Sequence, residues 1–476
     1  MGIQILPARH RGVIVLALAV ALGLGVTARA DTTGADGLAR DILRELVDTN
    51  TTHSQGSTVA ARALSKRFLA AGFPAADVQL LTPAEHPTKG NLVVRLHGQG
   101  KGAPVLYICH LDVVEAKRED WNYDPFRLTE KDGWLYGRGT IDMKGQDAAV
   151  ATSLIRLRQE GFVPSRDLIV AFTADEESGG DANGVGWLFS HHRKLVDAGI
   201  VINPDGGEAG VKDGRKLYVA VQTSEKVFLT FGLEVTDKGG HSSVPTAANP
   251  IYRLSAALAR LSQIAFPVHL TDTTRMYFER RAGVETGPLK SPMLAISRDP
   301  KDAAAAARLS EDMEVNTTMR TTCTTTMIDG GHAENALPQR ARATVQCRVV
   351  PGESPESVEA AIRQSLADPS IRISTITPAT PSPESPPAPA LLAMVEGIVG
   401  EMWPGVVVLP QMSPGASDSR YTRTLGIPSY GIDAMFDDLA DGRAHGRDER
   451  ISVTAFREDV EFTYRLMRRL AIDAGR

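Results

Sequence analysis

Short apolar runs alternate with helical patterns over residues 35–224, and this alternation constrains the fold more than any other feature of the chain. The helical patterns cover residues 38–47, 59–71 and 146–159. The strand-like runs cover residues 92–96, 105–109, 168–173, 200–202 and 217–221. Strands that alternate with helices in this way predict an α/β fold, with a sheet that is mostly parallel in its core and flanked by helices.

The pattern changes in the middle of the chain. Residues 226–235 alternate with a period of two, and a helical pattern then begins at Pro250. Further strands are predicted at residues 317–328 and 341–350, whereas residues 265–315 allow no assignment. Hairpin-like strands with helices on one face predict a smaller α+β domain.

A proline-rich connector over residues 377–390 ends this middle section, and patterns similar to those of the first section then resume. The smaller domain is therefore predicted to be an insertion. The predicted division is a catalytic domain over residues 31–224 and 378–476, with an inserted domain over residues 225–377.

Residues 1–30 have the composition of a secretory signal peptide. Arginines precede an apolar run over residues 13–26, and Ala28 and Ala30 form the small-x-small pattern of a cleavage site. An uncleaved membrane anchor is the alternative, although this run is short for a bilayer span. We therefore expect cleavage after Ala30 and a secreted or periplasmic protein, with no stable membrane span after signal cleavage.

The charge balance argues against one class of partner. Of the 476 residues, 42% are apolar and 23% are charged, which is typical of a globular protein. The formal net charge of −5 provides no basic surface for a polyanion, so no nucleic-acid partner is expected.

Three cysteines are too few for a disulfide framework. Cys109 ends an apolar strand and is expected to be a buried free thiol. Cys323 and Cys347 lie on two predicted strands, and a disulfide between them in an oxidising compartment is a hypothesis.

Five separate stretches offer histidine or carboxylate side chains, and four of them follow predicted strands. In open α/β sheets the carboxyl ends of the strands form the edge where ligands bind. Each stretch alone is a weak signal, because Asp142 could be a helix N-cap and Asp205 an ordinary turn residue. The candidate residues are His110, Asp112, Asp142, Glu176, Glu177, Asp205 and His445.

Together these residues suit a pair of metal ions. Two histidines and three carboxylates, one of them bridging, match the nitrogen and oxygen ligands of two zinc ions, and Co²⁺ or Mn²⁺ could occupy the same set. His110 and Asp112 face the same way in extended backbone, so the carboxylate can orient the imidazole ring. One glutamate of the pair Glu176 and Glu177 remains free to act as a base.

The order of motifs along the chain resembles a known family. "HLD", "GRGTIDMKG", "DEE", "PDGG", "GGHSS", "ENALP", "CRVVPG" and "AHGRDE" follow one another between residues 110 and 449. The chain thereby resembles the di-zinc metallopeptidases that include aminoacylase, glutamate carboxypeptidase and succinyl-diaminopimelate desuccinylase. The resemblance implies a zinc-peptidase-like catalytic domain with an inserted lid and dimerisation domain.

The resemblance also assigns a role to each candidate ligand. It implies that His110 and Asp205 bind one zinc ion, that Glu177 and His445 bind the other, and that Asp142 bridges them. Glu176 would be the general base and Asp112 would orient His110. The peptide bond between Asp142 and Met143 would be cis.

Four further residues match substrate-binding or catalytic positions of the family. His241 would stabilise the oxyanion, in some relatives from a partner subunit, although alone it reads as a loop residue. Asn335 and Arg348 would bind the substrate, and the guanidinium of Arg348 suits a carboxylate, although an exposed strand residue is the alternative. Gly415, in "SPGASDSRY", would offer backbone hydrogen bonds.

The leading functional hypothesis is an exported di-zinc carboxypeptidase-type exopeptidase. It would cleave an amide bond next to a free carboxylate by metal-activated water, with a glutamate as general base. The alternative is an N-acyl-amino-acid amidohydrolase, which needs the same groups. A small peptide or an N-acyl amino acid is therefore the expected substrate, with a possible homodimer through the lid. A binding protein without catalysis is the hypothesis from another class.

Overall fold

The computed structural model describes residues 1–2, 32–178, 180, 182–386 and 388–472. The predicted signal peptide falls outside these ranges, apart from its first two residues. Within the described ranges, no helix has both the length and the apolar character needed to cross a bilayer.

The secondary structure follows the predicted alternation. The strands are β1 Val78–Leu81, β2 Asn91–Leu96, β3 Val105–His110, β4 Thr129–Lys131, β5 Trp134–Tyr136, β6 Leu168–Thr173, β7 Ile200–Asn203, β8 Glu208–Lys212, β9 Arg215–Glu225, β10 Val227–Thr236, β11 Gly240–His241, β12 Thr322–Gly330, β13 Ala336–Leu337, β14 Arg340–Val349, β15 Arg372–Thr377, β16 Val407–Ser413, β17 Ser429–Ile432, β18 Phe436–Asp438 and β19 Arg450–Ser452. The helices are α1 Thr32–Val47, α2 Thr58–Ala70, α3 Lys144–Gln159, α4 Gly184–His191, α5 Arg193–Val196, α6 Pro250–Leu261, α7 Asp272–Val284, α8 Lys290–Arg298, α9 Ala303–Leu309, α10 Met313–Met319, α11 Pro355–Leu366, α12 Pro389–Met402, α13 Ser419–Thr424 and α14 Val453–Ile472.

A large mixed sheet forms the centre of the molecule. Its strand order is β1-β2-β6-β3-β7-β17-β9-β8-β18, and β16 pairs with β9. The central strands β6, β3, β7 and β17 run parallel to one another, whereas β1 and β2 at one edge pair antiparallel. The predicted α/β fold with a mostly parallel central sheet is confirmed.

Helices cover both faces of this sheet. Along β3, Val105 and Tyr107 pack in the core that includes α1, α3 and α14, while Leu106 and Ile108 pack in the core that includes α4. Because both faces are buried, the strand is apolar throughout instead of alternating. The buried run ends at His110, where the sheet meets the site.

A second sheet follows where the sequence pattern changes. Strands β12, β14, β10 and β15 pair antiparallel in that order, and α6 and α11 supply apolar side chains to its core. The inserted α+β unit is therefore present. The domain boundaries at residues 224/225 and 377/378 stay a prediction, which is supported by the change of sheet between β9 and β10.

The structure assigns the segment that the sequence pattern left open. Helices α7 to α10 fill most of residues 272–319 and share a small apolar core that includes Phe278, Met293 and Leu309. The prediction of a strand beginning at residue 317 was wrong. Residues 313–319 belong to α10, whose start is capped by Asp312, and β12 begins at Thr322.

The two cysteine expectations agree with the structure. Cys323 and Cys347 lie opposite each other on β12 and β14 and form a disulfide. Cys109 is a buried free thiol. The disulfide joins the outermost strand of the second sheet to its neighbour.

Candidate metal centre

Three parallel strands bring the predicted ligands to one edge of the central sheet. β3 ends at His110, β6 ends two residues before Asp175, and β7 is followed by a short turn of 3₁₀ helix that contains Asp205. The carboxyl ends of parallel strands meet at the same edge, so residues far apart in sequence become neighbours there.

His110 lies between two carboxylates. Its Nε2 atom is 3.0 Å from Oδ1 of Asp142 and 3.8 Å from Oδ1 of Asp205. Burial opposes the charged form of the ring, but the hydrogen bond to Asp142 and the nearby carboxylate of Asp205 outweigh this and raise the pKa of His110 well above its usual value. The pocket around this imidazole therefore favours a positive charge.

His445 completes a second group around the same aspartate. Its Nε2 atom is 3.0 Å from Oδ2 of Asp142 and 3.0 Å from Oε1 of Glu177. Hydrogen bonds to Asp142 and Glu177 raise the pKa of His445 to about 10. Despite its burial, the pKa of Asp142 is lowered by its hydrogen bonds to both histidines.

The donor atoms form two overlapping groups that could each hold a metal ion. One group is His110, Asp142 and Asp205, and the other is Asp142, Glu177 and His445, with the donor atoms of each group within 4.8 Å of one another. One imidazole nitrogen with carboxylate oxygens in each group, and a shared aspartate between them, suits two zinc ions. The residues present therefore fit the implied metal pair. The peptide bond between Asp142 and Met143 is cis, as the resemblance implied.

The turn after β6 separates three adjacent carboxylates. Asp175 has a φ of 65°, in the left-handed region, and its buried side chain forms an ion pair with Lys89 and lies 2.9 Å from Nδ1 of His53. Glu177 reaches His445, while Glu176 belongs to neither metal group. Two of the three like charges are thereby offset by partners of their own, Asp175 by Lys89 and Glu177 by His445.

Asp112 holds this turn in place. Its Oδ1 and Oδ2 atoms accept hydrogen bonds from the backbone N–H groups of Glu176 and Glu177, each at 3.1 Å. Nδ1 of His110 lies 3.0 Å from the backbone carbonyl oxygen of Asp112 and 3.9 Å from its carboxylate. The backbone carbonyl of Asp112 is thus nearer to the ring than its carboxylate, which also holds the turn that carries Glu176, and the orienting role of Asp112 stays a prediction.

Glu176 is half-buried beside the two metal groups. Burial, and then the neighbouring carboxylates of Asp205 and Asp418, raise the pKa of Glu176 well above its usual value. A carboxylate with a raised proton affinity, placed next to the ligands but not among them, can accept a proton at this edge of the sheet.

Sequence reasoning missed a buried ion pair that joins two ligand loops. Oε1 of Glu449 accepts hydrogen bonds from the backbone N–H groups of Ile141 at 2.8 Å and of Asp142 at 3.2 Å. Its Oε2 accepts one from Nη1 of Arg138 at 2.7 Å, and Nη2 of Arg138 donates to the backbone carbonyl of His445 at 3.3 Å. Both residues lie inside the quoted motifs, but only the fold shows that they meet.

We expect the variant Glu449→Gln to bind metal about 10- to 100-fold more weakly than the wild type. An amide in place of the carboxylate turns one N–H group toward Arg138 or toward the backbone of Asp142, so Asp142 and His445 lose their common support. Titration of the metal-free protein with Zn²⁺ measures the effect. Glu458→Gln, which changes a carboxylate on α14 that pairs with Lys216 and not with a ligand loop, is the matched control. Unchanged zinc affinity in a folded Glu449→Gln protein would contradict this role.

The contacts of the predicted lid residues are with groups other than the metal ligands. His241 is exposed on β11, where its Nδ1 lies 2.8 Å from the hydroxyl of Ser243, and the carbonyl of Asn335 accepts a hydrogen bond from Ser242. Arg348, on β14, stacks 5.0 Å from the ring of Phe228. Within the described part of the chain, no hydrogen bond or ion pair joins His241, Asn335 or Arg348 to the metal groups.

Gly415 is next to Pro414, which lines a cavity at the metal centre. The N–H of Gly415 donates to the hydroxyl of Ser413 at 3.1 Å. The flanking residues Met412 and Pro414 line the same cavity as Asp142 and Asp205. The loop that was predicted to contact substrate therefore borders the cavity of the metal centre.

A comparison with known protein families identifies the family of this chain. A family model described as peptidase family M20/M25/M40 matches residues 106–469. The chain belongs to this family. Its membership makes the chain an enzyme, a metal-dependent hydrolase of the metallopeptidase and amidohydrolase type, as the motif order implied.

Individual M20 relatives are similar over most of their length. The human N-fatty-acyl-amino acid synthase/hydrolase PM20D1 is 28% identical over 386 residues, which cover 78% of this chain and 74% of that protein. A probable carboxypeptidase S-like 2 of Dictyostelium discoideum is 28% identical over 385 residues, which cover 77% and 71%. The crystal structure of human carnosine dipeptidase 1 has the same fold, with a TM-score of 0.66 and 17% identity over 92% of this chain and 98% of that one.

Proposed function

We propose that this M20 enzyme hydrolyses an amide bond that lies next to a free carboxylate, as a carboxypeptidase-type exopeptidase. The observation that carries the proposal is Glu176, which stands beside two complete ligand groups and belongs to neither. A binding protein without catalysis would have no use for such a free carboxylate.

The proposed centre holds two zinc ions. His110 and Asp205 would bind one ion, Glu177 and His445 the other, and Asp142 would bridge them. When bound, zinc supplies Lewis-acid charge that polarises an amide carbonyl and lowers the pKa of water.

The chain's own groups then move the proton. The carboxylate of Glu176 accepts a proton from the attacking water and delivers it to the leaving nitrogen, so one residue serves as base and then as acid. Asp112 keeps Glu176 in place through the two backbone hydrogen bonds of the turn. Arg348 is the proposed partner for the substrate carboxylate, and backbone groups near Gly415 are proposed to contact the amide.

A second candidate is hydrolysis of N-acyl amino acids. It is favoured by the human relative, whose name describes an N-fatty-acyl-amino acid synthase/hydrolase. Both candidates need the same metal centre and the same carboxylate anchor, so the residues described above do not separate them.

A panel of substrates tests both candidates. Dipeptides and N-acyl amino acids, each with a free carboxylate or with a C-terminal amide, are incubated with the zinc-loaded protein. We expect hydrolysis of the free acids and a loss of about 100-fold or more for the amides, because the anchor loses its partner. Equal rates for acids and amides would refute the carboxylate requirement, and no hydrolysis of any member would refute the proposed function.

We also propose that the enzyme is a homodimer through the inserted domain. β12 is the outermost strand of the second sheet, and its Met327 and Ile328 are 68% and 61% exposed. An open strand edge with apolar side chains suits pairing with a second copy. The exposed position of His241, which has no hydrogen bond or ion pair with the metal groups in the described part of its own chain, is consistent with action on the partner's substrate.

Mixing two inactive variants tests this arrangement. His241→Ala and Glu176→Gln are each expected to be inactive, but in a mixed dimer the Glu176→Gln chain supplies His241 to the intact centre of its partner. After complete exchange at equal amounts, we expect about a quarter of wild-type activity, because half of the dimers are mixed and each has one complete site. Mixed dimers verified by mass spectrometry that stay inactive would contradict action in trans.

Export is the remaining part of the proposal. Residues 1–30 would direct secretion, and the disulfide between Cys323 and Cys347 suits an oxidising compartment. We expect the mature protein outside the cytoplasm to begin at Asp31, which N-terminal sequencing measures. A chain that keeps residues 1–30 after export would contradict cleavage.

A further inference from the structure

A cavity of about 940 Å³ extends from the metal centre to the helices that the sequence left unassigned. One wall contains Asp142 and Asp205, and another is built from residues of α7, α8 and α10. Helix α7 packs against β9 and β16, and Nη1 of Arg280 on α7 donates to the backbone carbonyl of Val408 at 2.7 Å. The cavity therefore lies between the central sheet and the helices of the inserted segment.

The wall of this cavity is strongly acidic. Besides the two metal ligands, its described residues include eight carboxyl groups and three cationic side chains, a formal net charge of −5 when all of them are ionised. Two of the cations are already paired, Arg281 with Glu285 at 3.7 Å and Arg308 with Glu311. A concave surface lined with charges of one sign concentrates the electric field, so this acidic cavity attracts positive charge.

Two amide side chains hold carboxyl groups of this wall in place. Nε2 of Gln146 donates to Oδ2 of Asp433 at 3.1 Å, and Nε2 of Gln411 donates to Oε2 of Glu208 at 2.6 Å. Each amide is thereby oriented, because the reverse orientation would turn its oxygen toward a carboxylate. Among the described residues the Oε1 atoms of both glutamines have no hydrogen-bond partner, and both atoms are enclosed by protein, with almost no surface open to the cavity.

The carboxyl groups are therefore the acceptors that this wall can offer to a ligand, among them those of Asp433 and Glu208. A group that carries both N–H donors and positive charge suits such a wall, whereas an anionic group does not.

We propose that this cavity receives a part of the substrate that carries a cationic nitrogen, such as a lysine or arginine side chain. The inference rests on the proposed hydrolysis and names its substrate class. Met412, Met435 and Phe436 also line the cavity, so the methylene stem of such a side chain has apolar neighbours while its charged end meets the acceptors. A fatty acyl chain in the same space would bury carboxylates without offering them any partner.

Matched substrates test the proposal with the zinc-loaded enzyme. Three series of substrates are compared, with the formulas Ala-X, X-Ala and N-acetyl-X. In each series the residue X is lysine, norleucine or glutamate. In at least one series we expect kcat/KM to be about tenfold higher for lysine than for norleucine, and lower again for glutamate. Raising the salt concentration from about 0.05 M to about 0.5 M should reduce the lysine preference, because the attraction is screened. Norleucine equal or superior to lysine in all three series overturns the proposal.

Variants locate the preference in this wall. Asp433→Asn and Glu208→Gln are each expected to lower the lysine-to-norleucine ratio of kcat/KM about tenfold, whereas Glu356→Gln, exposed on α11, should leave the ratio unchanged. Melting curves and zinc content are measured for each variant. If one variant fails to fold, the other variant and the salt dependence of the wild type decide.

The outcomes separate this inference from the function on which it rests. Hydrolysis of lysine and norleucine substrates at equal rates refutes only the cationic preference. A lower zinc content in Asp433→Asn with an unchanged ratio also overturns it, because the carboxylate would then serve the metal centre. Failure of the zinc-loaded enzyme to hydrolyse any substrate of the three series or of the wider panel refutes the proposed function itself.

Discussion

Replacing Glu176 with glutamine is expected to lower kcat by about 10³-fold while zinc content stays near two ions per chain. The amide has almost the same shape as the carboxylate but cannot accept a proton. Glu176 belongs to neither ligand group, so the change should leave the metal ligands in place. Its backbone N–H group, which donates to Asp112, is also unaffected. The measurements are kcat, zinc content and the melting temperature of the variant.

The neighbouring residue provides the matched control. Glu177→Gln makes the same chemical change one position away, but Glu177 lies 3.0 Å from His445 within a ligand group. We expect this variant to lose zinc as well as activity. Activity of Glu176→Gln within about tenfold of the wild type would show that another group is the base. Loss of zinc by Glu176→Gln would place that residue among the ligands.

Removal of the metal is expected to abolish hydrolysis and to destabilise the fold. Without a divalent cation, Asp142, Glu177 and Asp205 are held close together with only protonated histidines to offset them. Rebinding of zinc at about 1,000 times its dissociation constant should stabilise the folded state by about 4 kcal/mol. Activity, and the melting temperature with and without a chelator, measure the two effects.

Zinc binding should also depend on pH in a defined direction. The pKa of His445 is raised to about 10 by Asp142 and Glu177, and that of His110 is raised as well, so both rings hold a proton near neutral pH in the metal-free protein. Zinc must displace these protons, so the apparent affinity should rise with pH up to about 10 and protons should be released on binding. Calorimetry in buffers of different ionisation enthalpy counts the protons.

Protein from which a chelator has removed the metal tests the assignment of the metal centre. Activity should return on addition of Zn²⁺, and Co²⁺ or Mn²⁺ are expected to restore part of it because they accept the same ligands. A metal-free protein that keeps full activity, or zinc binding without proton release, would contradict the assignment of these residues.

Much of the site could be read from local sequence because of where its residues fall. His110, Glu176, Glu177 and Asp205 each follow a short apolar run, and such runs are buried strands of an α/β fold. Parallel strands bring their carboxyl ends to one edge, so the spatial cluster follows from the element order alone. His445 had no such signal, because it lies in a loop with a φ of 62°, and only the motif order of the family pointed to it.

Other features depend on contacts between distant parts of the chain. The helices α7 to α10 are short, and α7 has apolar residues on no single face, so their sequence patterns predicted no element. In the fold these helices share an apolar core, and α7 packs on β16. The pairing of Arg138 with Glu449, the hydrogen bond of His110 to the carbonyl of Asp112, and the meeting of Gln411 with Glu208 join residues that no local period connects.

The division between the two kinds of feature has a physical reason. Buried side chains recur along strands and helices with a fixed period, so the spacing of apolar residues indicates these elements. The residue types at the strand ends indicate the chemistry of the metal centre. Hydrogen bonds between polar side chains carry no period, since each needs only one partner at the right distance. The shape and charge of the cavity, and the support of the ligand loops, therefore emerged only from the folded chain.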